Sequence, residues 1–245
     1  MIIFCCTTRQ WGPTYGMGDM VLCVDIQPWD EYCAQPPCGI LNPVNDNVYK
    51  VLGNIYKDLA ELFQSDMFHM GGDEVNMRCW NETKEITDWM ELNGLGALDD
   101  ESFLKLWSLF QNRSLAKLDA SYGRTQPVIL WTSDLTAKGH AEMYLDRNRY
   151  IIQFWDGLTD TSNKLLYEAG YKLIMSNVDA LYLDCGFSGW VGEALNNWCS
   201  PYISWKTIYG NSPKAMTDHF NLTYNKEQFL GGEAALWAEQ VLFSS

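Results

Sequence analysis

Apolar residues along this chain recur in two rhythms that take turns from end to end. Residues 47–63 place Val48, Val51, Leu52, Ile55, Tyr56, Leu59, Leu62 and Phe63 at spacings of three and four. That stripe predicts a helix, with Asn45 and Asp46 available as N-caps. Phe103, Leu106, Trp107 and Phe110 repeat the rhythm and predict a helix over 101–120. TSNKLLYEA (161–169) predicts a third, capped by Thr161 or Ser162. Between these lie short apolar runs: DMFHMG (66–71), PVILW (127–131), YIIQFW (150–155), YKLIMS (171–176) and QFLGGE (228–233). They lack period-two alternation, as expected of strands covered on both faces. Helices alternating with such strands predict an α/β chain of parallel βα units. No repeat or low-complexity linker divides it, so residues 1–245 read as one domain. The segment 180–212, rich in Gly, Trp, Asn and Cys, reads as a long functional loop between the last two strands, which Cys185 and Cys199 could staple.

The chemically unusual residues collect at one place on this frame. Asp73 and Glu74 follow the strand at 66–71, while Trp131 and Trp155 end the next two. Tyr182 and Asp184 follow the strand at 171–176, and Trp237 and Glu239 follow the last one. All lie at C-terminal strand ends, the face on which a parallel (β/α) barrel builds its active site. Strands often end in polar or aromatic residues, but that accounts for one or two of these better than for the set.

Composition narrows the chemistry. With 31 acidic against 17 basic residues and a net charge of −14, the chain has no basic stripe for nucleic acid. Eleven Trp and thirteen Tyr exceed what core packing alone requires, and flat sugar rings are the first ligands to consider for the remainder. Eight cysteines include no zinc-type pair, and three His are too few for a His-rich metal site, so neither metal nor cofactor is expected. The even cysteine count and glycosylation acceptors at Asn81, Asn112 and Asn221 point to an oxidising compartment. Cys33–Cys38, around Pro36-Pro37, is the most local disulfide expected. No apolar run reaches the roughly 18 residues of a membrane span. The first six residues are too short for a signal peptide, so a secreted protein would carry its signal outside this chain.

The motif HMGGDE (69–74) raises the sharpest question. Adjacent residues on a regular strand face opposite ways, so Asp73 and Glu74 could share a site only if Gly71-Gly72 let the chain turn. Two neighbouring carboxylates repel, which would raise one pKa and suit a general acid. A metal clamp would need further ligands, of which only His69 is near. The plain alternative is that Asp73 caps the next helix while Glu74 is solvated.

The motif resembles the signature of glycoside hydrolase family 20, the β-N-acetylhexosaminidases. The resemblance runs from about residue 20 through PPCGILNPVND (36–46), GGDEVNMRCW (71–80), ILWTS (129–133), DALYLDCGF (179–187), NNWCSPY (196–202) and GGEAALWAEQ (231–240). It is nearest in flavour to insect members that cut chito-oligosaccharides. It implies a (β/α)8 TIM barrel and substrate-assisted retaining hydrolysis, an exception to the usual two-carboxylate scheme. On matching positions, Glu74 would be the general acid and then base. Asp73 would accept the acetamido N–H, and Tyr182 would donate to the acetamido oxygen. Trp131, Trp155 and Trp237 would wall the sugar pocket, and Asp184 and Glu239 would bind ring hydroxyls. Trp198 and Trp190 would stack on the next sugar outward. The family pattern also implies disulfides Cys23–Cys79, Cys33–Cys38 and Cys185–Cys199, leaving Cys5 and Cys6 without assigned partners.

In the family HMGGDE ends the fourth barrel strand, so its arrival by residue 74 implies that about strands 4 to 8 are present. The family's arginine from the first strand and its histidine after the third have no match here. The leading reading is an exo-acting enzyme removing terminal N-acetylglucosamine or N-acetylgalactosamine from chito-oligosaccharides, secreted or lysosomal, with a homodimer possible for the full-length enzyme. An N-glycan-trimming hexosaminidase and an inactive carbohydrate-binding fragment are the alternatives.

Overall fold

The computed structural model describes residues 11–12, 16, 18–186 and 198–237. The chain divides into two compact units, 1–149 and 150–245, each with its own parallel strands.

In the first unit, β1 (Val21–Leu22) pairs antiparallel with β2 (Ile40–Leu41). Disulfides Cys33–Cys38 and Cys23–Cys79 tie this region together, as expected. The first of them packs against Ile26, Trp29 and Tyr32 as a small apolar cluster. Helix α1 (Asp46–Leu62) starts at Asn45, whose side chain accepts the Asn47 N–H. Its buried face is Val48, Tyr49, Leu52 and Tyr56, narrower than the predicted stripe, for Leu62 and Phe63 are exposed. Strand β3 (Phe68–His69) follows, then α2 (Met77–Glu82) and α3 (Lys84–Leu92), two short helices that break at Thr83. The long helix α4 (Asp100–Tyr122) packs along α1. Asp99 caps its first turn and Gly123, in the left-handed region, ends it. Arg113 of α4 stacks 3.8 Å over the Tyr49 ring and pairs with Asp46, joining the two helices at their polar margin. Strand β4 (Val128–Trp131) runs parallel to β3, and α5 (His140–Tyr144) closes the unit. Ladder bonds between the two strands continue past β3, from Met70 N–H to Ile129 O and from Trp131 N–H to Gly71 O, so extended pairing reaches Gly71.

The second unit contains β5 (Tyr150–Phe154), α6 (Thr161–Glu168), β6 (Lys172–Met175), α7 (Val178–Leu181), α8 (Trp205–Gly210), α9 (Pro213–His219) and β7 (Phe229–Gly232). β5, β6 and β7 pair in parallel in that order, with a register shift between Leu173 and Ile174 opposite β7. Every residue of β5 is buried, which explains its unbroken apolar run. The cap of α6 is Asp160, which accepts the Ser162 N–H, and not Thr161 or Ser162. Its carboxylate stands one residue before the helix, where an acceptor reaches the orphan donors of the first turn. The segment expected to be a loop between the last two strands holds helix α8, and Cys185–Cys199 staples it as expected.

Candidate active site

Within the first unit the site grows from the end of β3. Gly71 and Gly72 have φ of 76° and 93°, and Glu74 also lies at positive φ, 50°. Three such residues in four make a sharp turn that a regular strand could not take. At Gly72 a Cβ would also lie 3.3 Å from Leu130 Cδ2. The turn separates the environments of the two carboxylates. Asp73 is half-buried and its Oδ1 is fully buried with no hydrogen-bond partner among the described residues, while Glu74 is exposed. Burial lifts the Asp73 carboxyl to about 6, its own backbone N–H opposes that rise, and the Glu74 charge adds to it.

This alters two expectations. The raised carboxyl is Asp73, and desolvation outweighs repulsion between the neighbours. The capping role falls to Asn76, whose side chain accepts the Arg78 N–H at 3.0 Å, so Asp73 is not the helix cap. His69, considered in the sequence only as a metal ligand, takes part in the turn itself. Its Nδ1 accepts the Gly71 N–H at 3.0 Å, and its ring lies 5.0 Å from that of Trp131. Trp131 is buried at the end of β4. No sequence signal marked this use of His69 beyond its position two residues before the glycine.

In the second unit four expected residues form one aromatic cluster. Trp198 meets Trp155 edge-on at 6.2 Å and Tyr182 at 6.1 Å, while Tyr182 meets Trp237 at 5.8 Å. Tyr182 is buried and forms a parallel bridge with Ala235. Asp184 is fully buried and its Oδ1 accepts the Trp237 N–H at 3.5 Å, a long bond that orients the backbone carrying that ring. Trp198 is 59% exposed. Trp190 and Glu239 lie outside the described residues. Among the described residues there is no group of three His, Cys, Asp or Glu side chains suited to a metal ion, and no helix long and apolar enough to cross a membrane.

The first unit carries a polar turn with two unlike carboxylates and the second a cluster of aromatic side chains, each at C-terminal ends of parallel strands, as in an α/β protein of barrel type. The chain belongs to glycosyl hydrolase family 20, whose catalytic-domain model matches residues 12–244. It is 50% identical over 223 residues to a chitooligosaccharidolytic β-N-acetylglucosaminidase of Ostrinia furnacalis, covering 91% of this chain and 36% of that protein. A protein of the same description from Bombyx mori is 50% identical over 222 residues, covering 90% and 36%. The chain thus spans about a third of the length of these relatives. A GH20 exo-β-N-acetylglucosaminidase from Vibrio harveyi, solved with N-acetylglucosamine, superposes with a TM-score of 0.61 at 18% identity, over 82% of this chain and 29% of that one. At that identity the likeness speaks for the fold alone: five parallel strands, two in the first unit and three in the second, with the topology of the family's barrel domain.

Proposed function

We propose that the protein is an exo-acting β-N-acetylhexosaminidase that removes terminal N-acetylglucosamine, or N-acetylgalactosamine, from chito-oligosaccharides by substrate-assisted retaining hydrolysis. The observation that carries this reading is Asp73 Oδ1, a buried acceptor without a partner among the described residues, beside an exposed carboxyl. A buried polar atom left unpaired is costly, and a substrate N–H would satisfy it. In this reading the substrate's acetamido oxygen attacks C1 while the glycosidic C–O bond breaks. Glu74 delivers its proton to the leaving oxygen. Asp73 accepts the acetamido N–H and stabilises the positive charge of the oxazolinium ring. Tyr182 donates to the acetamido oxygen and orients it. Water then attacks C1, gives its proton to Glu74, and reopens the ring with net retention.

Trp131, Trp155 and Trp237 supply apolar walls for the sugar and its methyl group in this scheme, and Asp184 and Glu239 bind ring hydroxyls. Trp198 and Trp190 hold the next sugar. The three disulfides support a secreted or lysosomal protein, with glycans at the exposed Asn81, Asn112 and Asn221, and a homodimer is part of the same proposal. The names of the insect relatives support chito-oligosaccharides over N-glycans. Turnover of chitotriose and of an N-acetylglucosamine-terminated N-glycan, compared side by side, tests it. Faster release of N-acetylglucosamine from chitotriose is expected, and release from neither substrate would overturn the reading.

A further inference from the structure

Three polar side chains at the strand ends of the second unit form a closed network that the proposed chemistry does not use. Gln153 on β5 is buried, and its amide donates twice, to Ser176 Oγ at 2.7 Å and to Glu233 Oε2 at 2.8 Å. The Ser176 hydroxyl in turn donates to the Glu233 carbonyl at 2.8 Å. Glu233 therefore offers its carboxylate to β5 and its main chain to the end of β6. A buried glutamine with no acceptors would be a liability, so the network is a reason for Gln153 to stand in an otherwise apolar strand.

The aromatic residues hang directly on these points. Trp155 lies two residues beyond Gln153. Backbone bonds run from Ser176 N–H to Phe154 O and from Val178 N–H to Trp155 O, both within 3.0 Å. On the other side, Glu233 N–H reaches Met175 O, and the strand-like path continues through Ala235, which bonds to Leu181 O and accepts from Leu183. That path carries Trp237 on one side and Tyr182 on the other. The register shift in β6–β7 sits just before it, where the ladder alone specifies position least.

We propose that Glu233 is a positioning residue: it locks Gln153 and Ser176 so that Trp155, Tyr182 and Trp237 keep one mutual arrangement. This rests on the proposed function for its kinetic readout but not for its structural one. The test compares Glu233→Leu and Glu233→Gln in the intact protein, by near-ultraviolet circular dichroism and by kcat and KM on a chromogenic N-acetyl-β-glucosaminide. A displaced reacting group of about 1 Å costs up to about a hundredfold, so Glu233→Leu is expected to lower kcat by about tenfold to a hundredfold, with the pH profile unmoved. Glu233→Gln retains an oxygen that accepts from Gln153 and is expected to stay within about threefold of wild type, with a native aromatic spectrum. Wild-type kcat and spectrum in Glu233→Leu would overturn the proposal. So would equal damage in Glu233→Gln, since the charge and not the hydrogen bond would then be at work. Should Glu233→Leu fail to fold, Ser176→Ala cuts the links from the Ser176 hydroxyl to the Glu233 carbonyl and from the Gln153 amide to Ser176, leaving only Gln153 on the Glu233 carboxylate; an altered aromatic spectrum supports the proposal and an unaltered one overturns it. If the wild type hydrolyses nothing, the proposed function falls, and the spectra still decide the role of Glu233.

Discussion

Replacing Asp73 with Asn should make the protein more stable at neutral pH and much less active. Lifting this carboxyl from the ordinary 3.8 to about 6 means its ionised form costs up to about 3 kcal/mol more in the folded than in the unfolded protein. Between about pH 4 and pH 6 the folded protein holds a proton that the unfolded chain has released, so stability falls as pH rises through that window. Asparagine carries no charge at any pH and escapes the cost. Because Asp73 is only half-buried, the gain at pH 7 should be about 1–3 kcal/mol, or roughly 2–12 °C in Tm for a chain of this size. At pH 3.5, where the native carboxyl is protonated in both states, the gain should vanish. Activity moves the other way, since the amide cannot balance the oxazolinium charge, and kcat should fall by about 100- to 1,000-fold. The wild-type acid limb of kcat/KM should bend near pH 6 and be missing in the variant. Calorimetry at pH 3.5 and 7.0, with rates across pH 4–8, measures all of this. No stabilisation at pH 7, or the same stabilisation at both pH values, would refute the argument that burial of the charge sets the Asp73 pKa.

Other changes probe the same turn and its supports. Glu74→Gln should cut turnover of a chromogenic N-acetylglucosaminide by about 100- to 10,000-fold while product binding, followed by calorimetry, stays within a few-fold. Gly72→Ala places a side chain at φ 93° and 3.3 Å from Leu130; it should cost about 1–2 kcal/mol in denaturant midpoints and lower kcat. Removing Cys23–Cys79 by a paired serine substitution opens a link across 56 residues and should cost about 4 kcal/mol, read as a drop in Tm that reducing agent mimics in the wild type.

Periodicity located α1, α4 and α6 within one or two residues, because each is long enough for its rhythm to show, and continuous apolar runs located the strands β4 to β7 as closely. It missed α2 and α3, whose short spans change phase at Thr83, and the two-residue pair β1–β2, which disulfides and tertiary contact hold. The exposed Leu62 and Phe63 show the opposite failure, a stripe that outlasts the surface it packs on. The strand ends that carry the described candidate residues were legible, since their place depends only on order along the chain. Which carboxyl would be desolvated was not legible, because it depends on the path through Gly71 to Glu74 and not on residue type. Nor was the bond from Gly71 to His69, which exists only once that path is taken.

That path is strained, and its two ends show why it persists. A glutamate at φ 50° costs about 1 kcal/mol or more against ordinary backbone. Upstream, the chain is held by Met70 and Trp131 in the β3–β4 ladder and by the Gly71 N–H on His69. Downstream, Asn76 caps α2 and also donates to the Glu31 carbonyl at 3.1 Å, fixing where the helix begins. Four residues must therefore turn between two held points, and the freedom left is how they divide the bend. Putting two glycines first lets the chain turn before the carboxylates, so Asp73, whose Oδ1 is buried, comes next. Glu74, the exposed carboxyl, comes last and takes the remaining strain. A straight strand would have set these two side chains on opposite faces; the turn instead gives adjacent carboxyls different solvation, which is the difference the proposed mechanism would require of them.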